Sequence, residues 1–196
     1  MQQKWFDAAL AFTLQHEGKT SMDPDDKGNW TGGRVGVGEL KGTKHGISAA
    51  SYPYLDIQSL TLAQVKPIYY VDFYVASGAP RIEEYSPVLA ARLFDLAVNC
   101  GVTGGSKMLQ RAVNVVCCGE VLPRRRAAWR QAIVQLLGGQ PLRVDGKIGP
   151  ITADVIRACP HPVALLTALR GEAYIHYKGL DAASIPGWLN RLGASA

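Results

Sequence analysis

The sequence predicts a mainly α fold with a small lobe of loop or β-hairpin after the first helix. Two observations carry that expectation. Apolar side chains recur at three- and four-residue steps along most of the 196 residues, and helix-start signatures open several of these runs. One glycine-rich stretch, between Gly18 and Ser48, lacks the helical period. A hydrophobic content of 47% beside 19% charged residues is that of an ordinary globular protein and excludes disorder, and the length is enough to bury a core.

In the first helix Phe6, Leu10, Thr13, Leu14 and Glu17 share one face, and Gly18 suits the left-handed residue that ends many helices. Glu17 therefore falls in the last turn, facing inward or into a cleft. Burial and the negative end of the helix dipole both raise a carboxyl pKa, and a Glu held neutral near pH 7 is a general acid. The loop that follows carries Asp23, Asp25, Asp26, Thr31 and Thr43, which can set a second carboxylate and hydroxyls opposite Glu17. One neutral and one charged carboxyl across a cleft is the arrangement glycoside hydrolysis needs. Asp23 and Asp25 compete with Asp26 for the second role, or cap turns. His16 and His45 are either proton shuttles or structural.

Within the loop, Val35 and Val37 alternate with Arg34, Gly36 and Gly38, the pattern of a short hairpin. Thr61-Leu-Ala-Gln64 is a capping box opening a helix through Tyr69, Tyr70 and Phe73, with Pro67 expected to kink it. Those rings and Tyr74 are core, or include a sugar-stacking surface. Ser86-Pro87 caps a helix through Leu89, Leu93, Leu96 and Val98. On it Asp95 and Asn99 share a face, where they hold an acetamido group, buttress the catalytic loop, or make an inter-helix hydrogen bond. A further helix is expected over Ser106 to Val116.

Pro123 is expected to open a helix with Arg124, Arg125, Arg126 and Arg130 on one side and Trp129, Ile133, Leu136 and Leu137 elsewhere. Its arginines are either solvated or touch an anionic envelope. Asp145-Gly-Lys-Ile-Gly-Pro-Ile-Thr152 is a turn leading into a helix, and a last helix covers Pro162 to Tyr177. Trp188 and Arg191, near the end of the chain, are expected to pack back on the cleft.

A formal charge of +5 predicts attraction to polyanions, among them nucleic acid, anionic lipid and cell wall. The basic face interleaved with aromatics that marks a nucleic-acid binder is not visible, so no nucleic-acid partner is expected. The N-terminus reads as neither a signal peptide nor a membrane span, so synthesis in the cytoplasm is expected. Cys100, Cys117, Cys118 and Cys159 show no metal-ligand spacing and are expected to be free, mostly buried thiols. No metal site or organic cofactor is expected.

The runs Glu17-Gly18, Asp23-Pro24-x-Asp26-x-Gly28, Gly28-Asn-Trp-Thr-Gly-Gly33 and Thr43-Lys-x-Gly46-Ile47-Ser48 resemble the signature of glycoside hydrolase family 108, the bacterial and phage muramidases. Leu93-Phe94-Asp95-x-Ala97-Val98-Asn99-x-Gly101, Leu109-Gln110, Asp145-Gly146-x-Ile148-Gly149-Pro150-x-Thr152 and Gly187-Trp188-Leu189-x-Arg191-Leu192 extend the resemblance over nearly the whole chain. Lys19 and Thr20 depart from the glycine and aromatic that many members carry after Glu-Gly.

The resemblance implies a lysozyme-like fold, with a catalytic region over 1–100 and a peptidoglycan-binding-like helical region over 101–196 packed into one globule. It implies a muramidase cleaving the β-1,4 bond after N-acetylmuramic acid, with Glu17 as acid, Asp26 and Thr43 assisting, and Asp95, Asn99 and His45 at the substrate. It implies a phage or prophage endolysin, released through a holin pore to lyse the host by peptidoglycan degradation, and a monomer is the expected state for an enzyme on an insoluble polymer. A lytic transglycosylase and a secretion-associated or non-catalytic wall-binding protein are the alternatives.

Overall fold

The computed structural model describes residues 2–16, 20–118, 128–179 and 185–194, with residues 2–4 and 16 described by backbone alone. The expected mainly α, lysozyme-like architecture is present. Its helices are α1 (Gln2–His16), α2 (Leu62–Ile68), α3 (Pro87–Cys100), α4 (Val102–Val113), α5 (Ala128–Leu137), α6 (Pro150–Ala158), α7 (Pro162–Lys178) and α8 (Ile185–Gly193). Among the described residues the only sheet is an antiparallel pair, β1 (Thr43–Lys44) and β2 (Ile47–Ser48), with Thr43 opposite Ser48 and Lys44 opposite Ile47. No helix of the described residues is long and apolar enough to cross a membrane.

The chain forms two compact units, Leu10–Tyr70 on one hand and Met1–Ala9 with Val71–Ala196 on the other. The position expected to divide the chain, near residue 100, lies at the Gly101 turn between α3 and α4, inside the larger unit.

The larger unit is built on α3, α4 and α7. Ser86 Oγ accepts the Leu89 amide at 3.2 Å and Pro87 fills the first helical position, so α3 starts where the sequence says it should. Leu89, Leu93 and Leu96 on α3, Leu109 and Val113 on α4, and Leu165 and Leu169 on α7 are all fully buried. Burial of such side chains contributes roughly 1.5–3 kcal/mol each. The helices approach closely where α4 meets α3: a Cβ on Gly105 would lie 3.0 Å from the Ala97 amide nitrogen, so a larger residue there would need the helices to give by a few tenths of an ångström. The rings of Phe6, Tyr74 and Phe94 form a mutually tilted cluster with centroids 5.1–5.8 Å apart.

Two polar clamps tie distant parts of this unit together. Gln110 Nε2 donates to Asp145 Oδ1 at 2.8 Å and to the Lys147 carbonyl at 3.1 Å, while its Oε1 accepts the Gly146 amide at 2.7 Å. In the second clamp Arg191 donates through Nε (3.0 Å) and an Nη (2.7 Å) to Asp95 Oδ1. Arg92 donates to Asp95 Oδ2 at 3.2 Å and to the Arg191 carbonyl at 3.1 Å. Burial pushes the Arg92 guanidinium down from its ordinary pKa, and the Asp95 carboxylate opposes that shift.

Several local expectations hold. Thr61 and Gln64 form the capping box of α2, Pro150 opens α6, and α7 begins at Pro162. Past Pro67 the helix changes pitch and continues as a π-helix, Tyr69–Val75, because proline supplies no amide hydrogen to the regular ladder.

Other expectations are corrected. The helix expected from Ser106 begins at Val102, because the positive φ of Gly101 (75°) breaks the chain there, and it passes into a π-turn over Asn114–Cys118. Arg34–Gly38 is the tip of a short hairpin-like loop, closed by the antiparallel Trp30–Leu40 bridge and the Thr31 amide on the Glu39 carbonyl, and not itself a strand pair. Gly33, Gly36 and Gly38 have positive φ, Val35 and Val37 are exposed, and no pleat is maintained. Trp188 stacks on Tyr177 with ring centroids 4.8 Å apart, and Arg191 reaches Asp95, so both close the helical core and not a cleft. Arg124, Arg125 and Arg126 lie outside the described residues, while Arg130 sits on α5 with its guanidinium 5.4 Å from the Trp129 ring centroid.

Candidate active site

Glu17 and Gly18 lie outside the described residues, so the site is defined by the loop lobe that follows them. Asp26 caps a short 3-10 turn, Lys27–Asn29, its Oδ1 accepting the Gly28 amide at 2.8 Å. Asp23 does similar work one turn earlier, with Oδ1 accepting the Asp25 amide at 2.9 Å. All three aspartates are exposed.

Asn29 organises the lobe. Its side chain is fully buried, with Nδ2 donating to the Asp23 carbonyl (2.9 Å) and Ser21 Oγ (3.2 Å), and Oδ1 accepting the Thr43 hydroxyl at 2.7 Å. Its carbonyl accepts the amides of Lys41 and Gly42, each at 3.0 Å. Ser21 and Thr43 exchange a pair of backbone hydrogen bonds at 2.9 Å. Thr43 and the aspartate loop are thereby locked in one frame. Gly42 must be glycine, since its φ is 79° and a Cβ would come within 2.4 Å of the Ser21 carbonyl oxygen. The Trp30 indole braces the same loop by donating to the Pro24 carbonyl at 2.8 Å.

His45 lies in the two-residue turn between β1 and β2. His45 and Gly46 have φ of 50° and 74°, the positive pair that a tight hairpin turn demands. The Tyr69 hydroxyl donates to the His45 carbonyl at 2.9 Å and fixes the turn. In the same unit a polar recess of about 400 Å³ is lined by Glu39, Leu40, Lys41, Tyr54, Asp56 and Gln58. Its wall is held by Lys41 donating to the Pro53 carbonyl (3.0 Å) and Gln58 to the Lys41 carbonyl (2.7 Å), and Tyr54 is 97% exposed.

Asp95 and Asn99 belong to the larger unit. The Asp95 side chain is in the core with its oxygens on Arg92 and Arg191, and Asn99 Nδ2 turns back to the Asp95 carbonyl at 2.8 Å. Asp95 thus bonds across to α8 through Arg191, whereas the Asn99 bond stays within α3. Among the described residues no three His, Cys, Asp or Glu side chains are placed to hold a metal ion.

Residues 10–101 match the model of the family described as Glycosyl hydrolase 108. Over this segment the chain is similar to that family. The matched segment contains Glu17, the whole aspartate loop, the hairpin and α3, and the likeness supports glycosidase chemistry, with peptidoglycan as the general class of polymer. The structure of Brucella abortus SagA is similar over 97% of this chain and 90% of that one, with a TM-score of 0.66. At 18% identity that likeness shows the fold alone. No curated protein matches the chain.

Sequence reasoning chose Asp26 and Thr43 but gave Asn29 no role. Its one signal was a polar residue inside the Gly28-Asn-Trp-Thr run. Arg92 was likewise missed, although an arginine on the apolar face of α3, three residues before Asp95, is a pattern that predicts a buried pair.

Proposed function

We propose that this glycosyl hydrolase 108 protein is an N-acetylmuramidase that hydrolyses the β-1,4 bond between N-acetylmuramic acid and N-acetylglucosamine in peptidoglycan. The family match over 10–101 carries the reading, and the rigid aspartate–Asn29–Thr43 lobe supports it. Glu17 protonates the leaving glycosidic oxygen. Asp26 supports attack of water or the oxocarbenium-like transition state, with Thr43 held beside it through Asn29. The His45 turn and the recess at Tyr54 receive flanking sugars, and Asp95 and Asn99 act as positioning groups from the core. The setting we infer is phage or prophage lysis, with cytoplasmic synthesis, holin-dependent release and action on the wall as a monomer.

The test is digestion of purified peptidoglycan by the wild type and Glu17→Gln, with mass spectrometry of released fragments. Reducing muramic ends from the wild type alone are expected. Anhydro ends would make the enzyme a lytic transglycosylase. Equal release by both proteins would remove Glu17 from its role, and binding without release by either would make this a wall-binding protein.

A further inference from the structure

A cavity of about 320 Å³ lies beside α5 in the larger unit, outside the 10–101 segment. Arg130, Ile133, Val134 and Leu137 recur at three- and four-residue steps, so a single face of α5 makes one wall. Cys117 and Cys118 of the π-turn and residues 139–141 complete it. That second wall is fixed. Asn114 holds the next residue, Leu142, through two 2.8 Å bonds, Nδ2 donating to its carbonyl and Oδ1 accepting its amide. The Gly139 amide donates to the Val134 carbonyl at 3.0 Å and ties the same segment to α5. Arg130 is the anomaly in this frame. A cation stands where the stripe is otherwise apolar, half-buried, and its Nη2 is closed off from water with no hydrogen-bond acceptor among the described residues. The Trp129 ring, centred 5.4 Å from the guanidinium, offers a π face but no lone pair in the ring plane. Buried guanidinium groups are ordinarily paired, and no Asp or Glu lines this cavity. The missing counter-charge has to come from outside the chain.

We propose that this cavity binds a small aliphatic monocarboxylate of the medium-chain fatty-acid class, its carboxylate paired with the Arg130 guanidinium and its chain laid against Ile133, Val134 and Leu137. The charge selects the head group. A planar guanidinium matches a carboxylate through two parallel N–H bonds, and one cation neutralises one negative charge, whereas a phosphate dianion would be left half-compensated beside apolar walls. The walls select the tail. Ile133, Val134, Leu137 and Pro141 offer hydrocarbon, and Gln140 is the one amide side chain among the lining residues. A peptide C-terminus carries the same carboxylate, but its backbone amides would go unpaired against such a surface. The volume falls at the small end of ligand pockets, which run from roughly 300 to 1,000 Å³, so the occupant is a small molecule and not a polymer segment.

The test is isothermal titration calorimetry of sodium octanoate into the full chain at neutral pH, with 1-octanol, inorganic phosphate and N-acetyl-alanyl-alanine as comparators, on the wild type and Arg130→Gln. Octanoate is expected to bind the wild type at one site. Octanol, which has the chain without the charge, is expected to bind about tenfold or more weakly, and Arg130→Gln is expected to lose octanoate affinity by a similar factor while circular dichroism stays that of the wild type. No saturable octanoate binding, equal affinity for octanol, undiminished binding by a folded Arg130→Gln, or tighter binding of phosphate or of the peptide would each overturn the proposal. The comparison of octanoate with octanol uses the wild type alone, so it decides the matter even where Arg130→Gln fails to fold. The readout is ligand binding outside the 10–101 segment, and it stands whatever the glycan assay returns.

Discussion

Asn29 shows how much one side chain carries. It ties Ser21, the Asp23 carbonyl and Thr43 into a single network, so Asn29→Ala leaves the Thr43 hydroxyl short of its acceptor. We expect a loss of about 1–3 kcal/mol in urea denaturation and a clear fall in peptidoglycan release. Unchanged stability would show that the lobe stands without this network. Tyr54→Ala should act differently. Its ring is exposed and supports nothing, so KM on soluble glycan fragments should rise several-fold with kcat held, and a change in kcat alone would count against a binding role. At this scale the turn-capping roles of Asp23 and Asp26 were legible from residue type and spacing. Asn29 was not, because its partners are far away in the chain and only folding puts them within 3 Å.

Among the elements, α3 and α8 depend on the buried Asp95, Arg92 and Arg191 cluster. Arg191→Leu removes the bidentate partner of a core carboxylate and should cost ~3 kcal/mol by denaturant titration, whereas a surface ion pair such as Lys41–Glu39 should cost well under 1 kcal/mol. The Asp145 turn has a pH signature. The Gln110 amide, then the Lys147 amide, hold the Asp145 carboxyl below its ordinary pKa. A depressed folded pKa means that the contribution to stability is complete above the unfolded Asp value, about 3.9, and is lost as pH falls through the lower folded value. Asp145→Asn should therefore flatten the acid limb of stability against pH, and an unaltered limb would rule the clamp out as a source of acid sensitivity. Helix starts were readable because caps are local chemistry, as at Thr61 and Ser86. The π-helices were not, since their wider turns answer to Pro67 and to the hydrogen bonds that Asn114 makes with Leu142.

For the molecule as a whole, the charge of +5 predicts that Glu17→Gln binds anionic sacculi and comes off as salt rises from about 0.05 to 0.5 M, which a sedimentation assay reads directly. Salt-independent sedimentation would point to glycan contacts instead. Truncation after Gly179 should unfold the larger unit and not merely trim it, because Arg92 loses the carbonyls of Arg191 and Ala194. Circular dichroism of the truncated chain decides this. By itself the sequence determined the helical class, the capped helix starts and the family-like motifs, all of which rest on residue type and short-range period. Only the tertiary structure decided what the motifs do for one another: Asn29 with Thr43, Gln110 with Asp145, and Asp95 with Arg191. Those pairs are set by packing between segments remote in the chain. Hydrogen-bond and ion-pair geometry at that range leaves no periodic trace in a single sequence.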